Sequence, residues 1–157
     1  MSEQNQEFSE QRIRHLEMIQ AVVSRLGGNG FLIKGWAITV AGAFLAFAVN
    51  RQKYGLALAA LAPTFLFWLL DAYFLRNERL FRHLFDRVRR GLEPPFFMAA
   101  TGEGYVKRVR DEARAGKKED VGSWFLTFWR AALVIFYVAL GLTCVITAAV
   151  ICHAADG

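Results

Sequence analysis

The chain has 157 residues, enough for one domain, and 55% of them are hydrophobic, which exceeds the share in soluble domains. Charged residues, 21% of the chain, lie mostly outside the apolar runs, and the formal net charge is +5. Because basic and acidic side chains interleave, as in Arg82, Asp86 and Arg87, the charge argues against a nucleic-acid surface. Basic loops that stay in the cytoplasm explain it better. Residues 1–8 are polar and acidic, so we expect no cleavable signal peptide.

The alternation of charged and apolar stretches divides the chain into four segments. Residues 1–30 predict a cytoplasmic amphipathic helix, and residues 31–75 predict a transmembrane hairpin of two spans. Residues 76–123 predict a cytoplasmic helix and a basic loop. Residues 124–157 predict a third transmembrane helix with a tail outside the cytoplasm. The fold class is therefore an all-α integral membrane helical bundle.

Glycine and proline predict where these helices end or bend. The glycines within residues 27–30 predict a flexible break after the N-terminal helix. Pro63 lies near the middle of the second span, where it should kink the helix. The helical pattern of that span continues past the membrane until Gly91, which predicts one long rod over residues 54–90. A short helix is expected over residues 104–114.

The distribution of lysine and arginine predicts the orientation. Twelve of these residues lie in the segment 76–123, two lie in the turn 50–53, and none lies in the tail 153–157. Cytoplasmic loops carry the excess of positive residues. We therefore expect a bacterial inner (plasma) membrane protein with a cytoplasmic N-terminus and a periplasmic C-terminus.

Three charged residues fall within the predicted spans at a similar depth: Lys34, Asp71 and Arg130. Ionisable groups are costly in a bilayer and usually mark functional sites. Lysine and arginine can reach the interface through their long stems, whereas the short side chain of Asp71 cannot. We therefore expect Asp71 to pair with Lys34 or Arg130 in an intramembrane charge cluster.

Small residues in the spans predict close helix packing. Gly35 and Gly42 lie on one face of the first span, and small residues allow helices to approach in lipid. With Pro63 in the second span, they form the expected helix-packing set. Helix contacts within one chain would explain such a face of small residues equally well. Because three spans alone make a thin bundle, we favour contacts within a homo-oligomer.

An apolar stripe runs along the helix that leaves the membrane, formed by Leu80, Leu84 and Val88. Such a stripe needs a partner in water. The N-terminal helix offers Ile13 and Leu16, from the same or a neighbouring subunit, and a separate cytosolic protein is the other candidate. These five residues are the predicted oligomer or partner face.

One short motif raises the possibility of catalysis. Arg76, Asn77 and His83 fit the R-x4–6-H pattern of HEPN-type ribonucleases, in which the two residues converge in a dimer. A solvated helix face explains the same residues more simply, so we expect no catalytic residue and no enzyme activity. The histidines are too scattered across the predicted topology to bind one metal, and we expect no metal and no cofactor.

Three stretches carry a resemblance to known proteins: FLIKGWAITVAG in the first span, FWLLDAYFLRNERLFRHLFDRVR across the second, and VGSWF before the third. Together they resemble an uncharacterised family of small bacterial multi-pass membrane proteins. The layout is also similar to SLATT-type membrane effectors of anti-phage systems, from which the third span departs. That resemblance implies a role at the membrane in defence, with a cytosolic protein or a nucleotide signal as partner.

The leading functional hypothesis is therefore a homo-oligomeric membrane effector or sensor of a bacterial defence module, pore-forming in one version. It would respond to a cytoplasmic ligand or partner, and its spans would contact membrane lipid. One alternative is an anchor that recruits a cytosolic enzyme without forming a pore. The other is a membrane-bound HEPN-like RNase.

Overall fold

Helices make up nearly all of the regular structure. The computed structural model describes the backbone of residues 2–94, 97–114 and 129–156, and the side chains of residues 10–94, 97–112 and 129–154. No strand occurs in this part of the chain. The helices are α1 (Ser2–Arg51), α2 (Tyr54–Ala59), α3 (Leu61–Arg89), α4 (Glu103–Arg114) and α5 (Ala131–Asp156).

Three helical stretches are long and apolar enough to cross a membrane. They are Glu10–Arg51, Tyr54–Arg89 and Ala131–Ala154. The prediction of an all-helical chain with three candidate spans is thus confirmed in length and composition. The predicted start of the third span at residue 124 lies outside the described residues, and α5 begins at Ala131.

The predicted break at the glycines within residues 27–30 is wrong, because α1 continues without interruption from Ser2 to Arg51. A glycine inside a helix costs only about 1 kcal/mol relative to alanine, which packing can offset. A Cβ at Gly27 would lie 3.8 Å from Glu78 Oε2, and one at Gly30 would lie 3.3 Å from Asp71 Oδ1. Gly30 therefore allows a close approach of the Asp71 carboxylate, whereas the contact at Gly27 is of ordinary length.

The predicted rod over residues 54–90 is wrong at one point, since α2 ends at Ala59 and α3 begins at Leu61. Pro63 explains the position. A proline has no N–H for the carbonyl four residues earlier, which here belongs to Ala59, and its ring crowds that carbonyl. The interruption therefore lies one turn before Pro63.

Gly91 ends α3 as predicted. Its φ is +73°, the left-handed conformation that favours glycine. The Gly91 N–H donates to the Val88 carbonyl at 3.0 Å, and the Leu92 N–H donates to the Arg87 carbonyl at 3.0 Å. These two bonds satisfy carbonyls that the helix end would otherwise leave open.

The chain divides into two compact units. Unit 1 comprises Met1–Asn29 and Phe74–Thr127, and unit 2 comprises Gly30–Tyr73 and Phe128–Gly157. Helices α1 and α3 contribute residues to both units.

Unit 1 has an apolar core built from three helices. Ile19 of α1 packs with residues of α3 and α4, and α4 matches the short helix expected over residues 104–114. The part of α3 that belongs to this unit becomes polar at Arg76, Asn77 and Glu78. The buried members of the core are Ile19, Leu80, Leu84, Val88, Ala100, Tyr105, Val106 and Val109.

Many of the buried residues of unit 2 are alanines, and many of its large apolar residues are exposed. Phe31 and Ile135 are 80% and 69% exposed, and Trp36 and Leu66 are also exposed. Small residues at helix contacts with large apolar residues outside are typical of helices that pack in lipid. The buried alanines are Ala37, Ala41, Ala48, Ala57, Ala60, Ala72 and Ala148.

Candidate functional site

A buried ion pair joins two helices of unit 2. Asp71 of α3 is only 2% exposed, and its Oδ2 lies 2.5 Å from Nζ of Lys34 on α1. The Lys34 side chain remains 31% exposed. Lys34 Nζ also lies 3.5 Å from the Gly30 carbonyl oxygen of its own helix. The structure therefore brings together two of the three residues expected in the charge cluster.

The third helix contributes a tyrosine. The Tyr137 hydroxyl of α5 lies 3.2 Å from Asp71 Oδ2 and 3.2 Å from the Phe67 carbonyl oxygen. Both neighbours are acceptors, so the one hydroxyl hydrogen is shared between them. The Trp68 ring stacks on Tyr137, with centroids 6.0 Å apart and planes inclined by 8°. This stacking holds the phenol in place beside the carboxylate.

Gly30 completes the site through the space it leaves. A Cβ at this position would lie 3.3 Å from Asp71 Oδ1, which is tighter than ordinary contact. We call Gly30, Lys34, Asp71 and Tyr137 the Asp71 site. All four residues belong to unit 2.

Arg130 takes no part in the site. It is exposed and precedes α5, and within the described residues it forms no ion pair with Asp71. Tyr137 lies seven residues further along, which is about 10 Å of helix rise. Counting turns from the assumed span ends placed Arg130 level with Asp71, but the offset between helices places Tyr137 there. A tyrosine within the otherwise apolar run AALVIFYVALGL was the available signal.

The arrangement is suited to holding helices together. One carboxylate accepts from an ammonium and from a phenol, so α1, α3 and α5 meet at one polar point. A buried pair contributes little net stability against apolar replacements, but removing one partner is costly. Such a site specifies one arrangement of three helices and loses it when a partner changes.

The predicted oligomer or partner face lies mostly inside unit 1. Leu80 and Leu84 are fully buried and Val88 is 2% exposed, within the core shared with α1 and α4. Leu16 packs against this core, whereas Ile13 is 56% exposed. In this structure the partner of the stripe is therefore the same chain. Of the five residues, Leu16 is partly buried and Ile13 is exposed.

The predicted helix-packing residues have different surroundings. A Cβ at Gly35 or Gly42 would meet nothing within 4 Å, so this face of α1 is open in the single chain. Pro63 is half-buried in α3 and marks the helix interruption. The open face is compatible with lipid or with a second copy.

A charged network braces unit 1. Arg87 donates to Glu93 at 2.7 Å and to both carboxylate oxygens of Glu112 at 2.9 Å, and Arg108 lies 3.4 Å from Glu93. Burial alone would lower the pKa of Arg87, but the bonds to the two glutamates outweigh it and raise that pKa. The network ties α3 to α4 and to the loop after Gly91.

Arg76 and His83 have different surroundings within the chain. His83 is 7% exposed, and its Nδ1 lies 2.9 Å from the Tyr105 hydroxyl. Burial is the main cause that raises the pKa of Tyr105 well above its ordinary value. Arg76 lines a separate cleft, which does not include His83. Among the described residues no group of three or more His, Cys, Asp or Glu side chains could hold a metal ion.

Comparison with family models, with curated proteins and with solved structures found no significant match to this chain.

Proposed function

We propose that this protein is a multi-pass membrane protein that works as an effector or sensor. Unit 2 would lie in the bilayer and unit 1 in the cytoplasm. The observation that carries the proposal is the Asp71 site, a polar point buried among apolar helices where α1, α3 and α5 meet. Ionisable residues inside a membrane bundle usually serve function.

The Asp71 site would hold the resting arrangement of the three helices. A ligand or partner acting on unit 1 would change α1 and α3, which also contribute to unit 2. Separation of Lys34 from Asp71 would then loosen the helix bundle and make the membrane leak. We base the proposed role in a bacterial defence module and the proposed homo-oligomer on the SLATT-like layout of the sequence. The lysines and arginines of the segment 76–123 support a cytoplasmic N-terminus.

Membrane leakage tests this function. The full chain and its variants Asp71→Asn and Tyr137→Phe are expressed at matched levels in bacteria, and uptake of an impermeant dye is measured. We expect the two variants to leak more than the wild type, because each weakens the resting contact. The matched controls are Thr39→Val and Thr143→Val, whose exposed hydroxyls bond only to their own helix, at 3.0 Å and 2.9 Å. Equal leakage from all four variants would contradict the proposal.

Orientation is tested by reporter fusion. A reporter active only outside the cytoplasm should work when fused after Gly157 and fail when inserted near Gly116. The reverse pair of results would exclude a cytoplasmic basic segment. Failure at both positions would exclude three spans.

The anchor alternative is favoured by one observation, the exposure of Ile13 and Met18 at 56% and 46% on the polar part of α1. A cytosolic partner could cover these side chains. In that case Ile13→Asp would abolish recruitment of the cytosolic partner, and no variant of the Asp71 site would cause leakage. The burial of His83 against Tyr105 gives the RNase alternative no support.

A further inference from the structure

Unit 1 contains a cleft of about 560 Å³ that the proposed function does not use. Arg76 of α3 lines it together with Lys107 and Arg110 of α4, while Thr101 and Val106 form part of its wall. Three cationic side chains from two helices therefore surround one concave surface. Basic clefts of this kind suit anions, above all phosphate.

Two of these cations have no acidic partner among the described side chains. Lys107 and Arg110 are exposed, and neither forms an ion pair within the described ranges. Arg108, between them on the same helix, turns to Glu93 at 3.4 Å and has its guanidinium 5.8 Å from the Tyr105 ring centre. Helix α4 thus separates a cation that serves the internal network from two that face the cleft.

Two carboxylates at the cleft limit which anion can bind. Glu103 and Asp111 also line it, each four residues from Lys107, a spacing at which helix ion pairs commonly form. Neither pairs with Lys107 here. Three cations against two carboxylates leave an excess of one positive charge, so a long-range field contributes little. The ligand must accept several direct hydrogen bonds at short range, as phosphate oxygens do.

We propose that this cleft binds a phosphate group. Lys107 and Arg110 would donate to its oxygens, with Arg76 and the Thr101 hydroxyl beside them. Arg76 follows directly after the apolar run that ends at Leu75, which is the level of lipid headgroups on a helix that crosses a bilayer. The phosphodiester of an anionic phospholipid is therefore the favoured source, and a soluble phosphate ester is the other.

Thermal melting of the purified full chain in detergent tests the proposal. The probes are dihexanoyl phosphatidylglycerol and glycerol 3-phosphate, each compared with sodium chloride at equal ionic strength. At ten times its Kd, a bound probe should raise Tm by about 4 °C. A rise with the lipid alone assigns the phosphate to a headgroup, and a rise with both assigns it to a soluble ester as well.

Two variants locate the effect. Lys107→Ala with Arg110→Ala should abolish the rise. The control, Arg14→Ala with Arg25→Ala, removes the same charge from exposed positions of α1 and should retain it. No rise in the wild type, a rise that persists without Lys107 and Arg110, or an equal loss in the control would overturn the proposal. If the double variant melts early without ligand, Arg110→Ala alone is judged by the same criterion.

Discussion

Replacing Lys34 by methionine should destabilise unit 2 through the charge that it leaves behind. Asp71 is 2% exposed and accepts from Lys34 and Tyr137. Removing one partner of a buried pair costs about 3–5 kcal/mol, because the remaining charge is uncompensated. Since the Lys34 side chain is 31% exposed, water already screens part of the interaction, and we expect about 3 kcal/mol.

The same substitution should cost much less when the carboxylate is absent. Asp71→Asn keeps the shape of the side chain but removes its charge. In that background we expect Lys34→Met to cost about 1 kcal/mol, which gives a coupling energy of about 2 kcal/mol, within the range for contacting residues. The matched control is Thr39→Val on the same helix, whose cost should not depend on Asp71→Asn.

Reversible unfolding by SDS of the protein in detergent micelles provides the measurement. Tryptophan fluorescence reports on the site, because the Trp68 ring stacks on Tyr137. The four proteins of the cycle are titrated in parallel, and their free energies of unfolding are compared. If Lys34→Met costs the same in both backgrounds, within about 0.5 kcal/mol, the ion pair does not contribute to the fold.

Three further predictions concern other parts of the chain. Leu84→Ala should cost about 2–5 kcal/mol in denaturant unfolding because Leu84 is fully buried, while Ile13→Ala, at 56% exposure, should cost under about 0.5 kcal/mol; equal costs would contradict the core. The raised pKa of Tyr105 means that the folded chain keeps a proton that the unfolded chain loses above its ordinary value of 10.0, so stability should fall there as pH rises. Tyr105→Phe should remove up to about 1.4 kcal/mol per pH unit of that slope, and an unchanged slope between pH 10 and 11 would refute the assignment. Gly35→Leu should leave monomer stability unchanged but reduce oligomer size by light scattering if this face joins copies, whereas Gly30→Leu should unfold unit 2; a full-size oligomer with Gly35→Leu would place the contact elsewhere.

Patterns along single helices predicted much of this structure. The apolar spacing of Leu80, Leu84 and Val88 predicted a buried stripe, and the length of the apolar runs predicted three candidate spans. The short side chain of Asp71 predicted a cationic neighbour, a place that Lys34 takes in the structure. Each of these inferences needs only helical periodicity and the cost of exposing or burying one side chain.

What the sequence did not predict depends on how helices are offset from one another. Tyr137 stands level with Asp71 because of the position of α5 along α3, which periodicity does not contain. The role of Gly30 depends on the carboxylate opposite it, so composition alone suggested a break. The interruption at Ala60 has a local cause, the ring of Pro63. Because a proline disturbs the helical hydrogen bond of the turn before it, the interruption lies nearer the N-terminus than the kink expected at Pro63.

The glycines at positions 27, 28 and 30 give α1 a weak segment where the two units divide. Each lowers intrinsic helix stability by about 1 kcal/mol relative to alanine, so about 3 kcal/mol is lost within four residues. Their amide hydrogens should exchange with solvent faster than those of the turns on either side, since local opening is easiest there. Unfolding should then occur in two transitions, with unit 1 opening while unit 2 remains folded. A protease that accepts glycine should cut α1 here before it cuts the turns on either side.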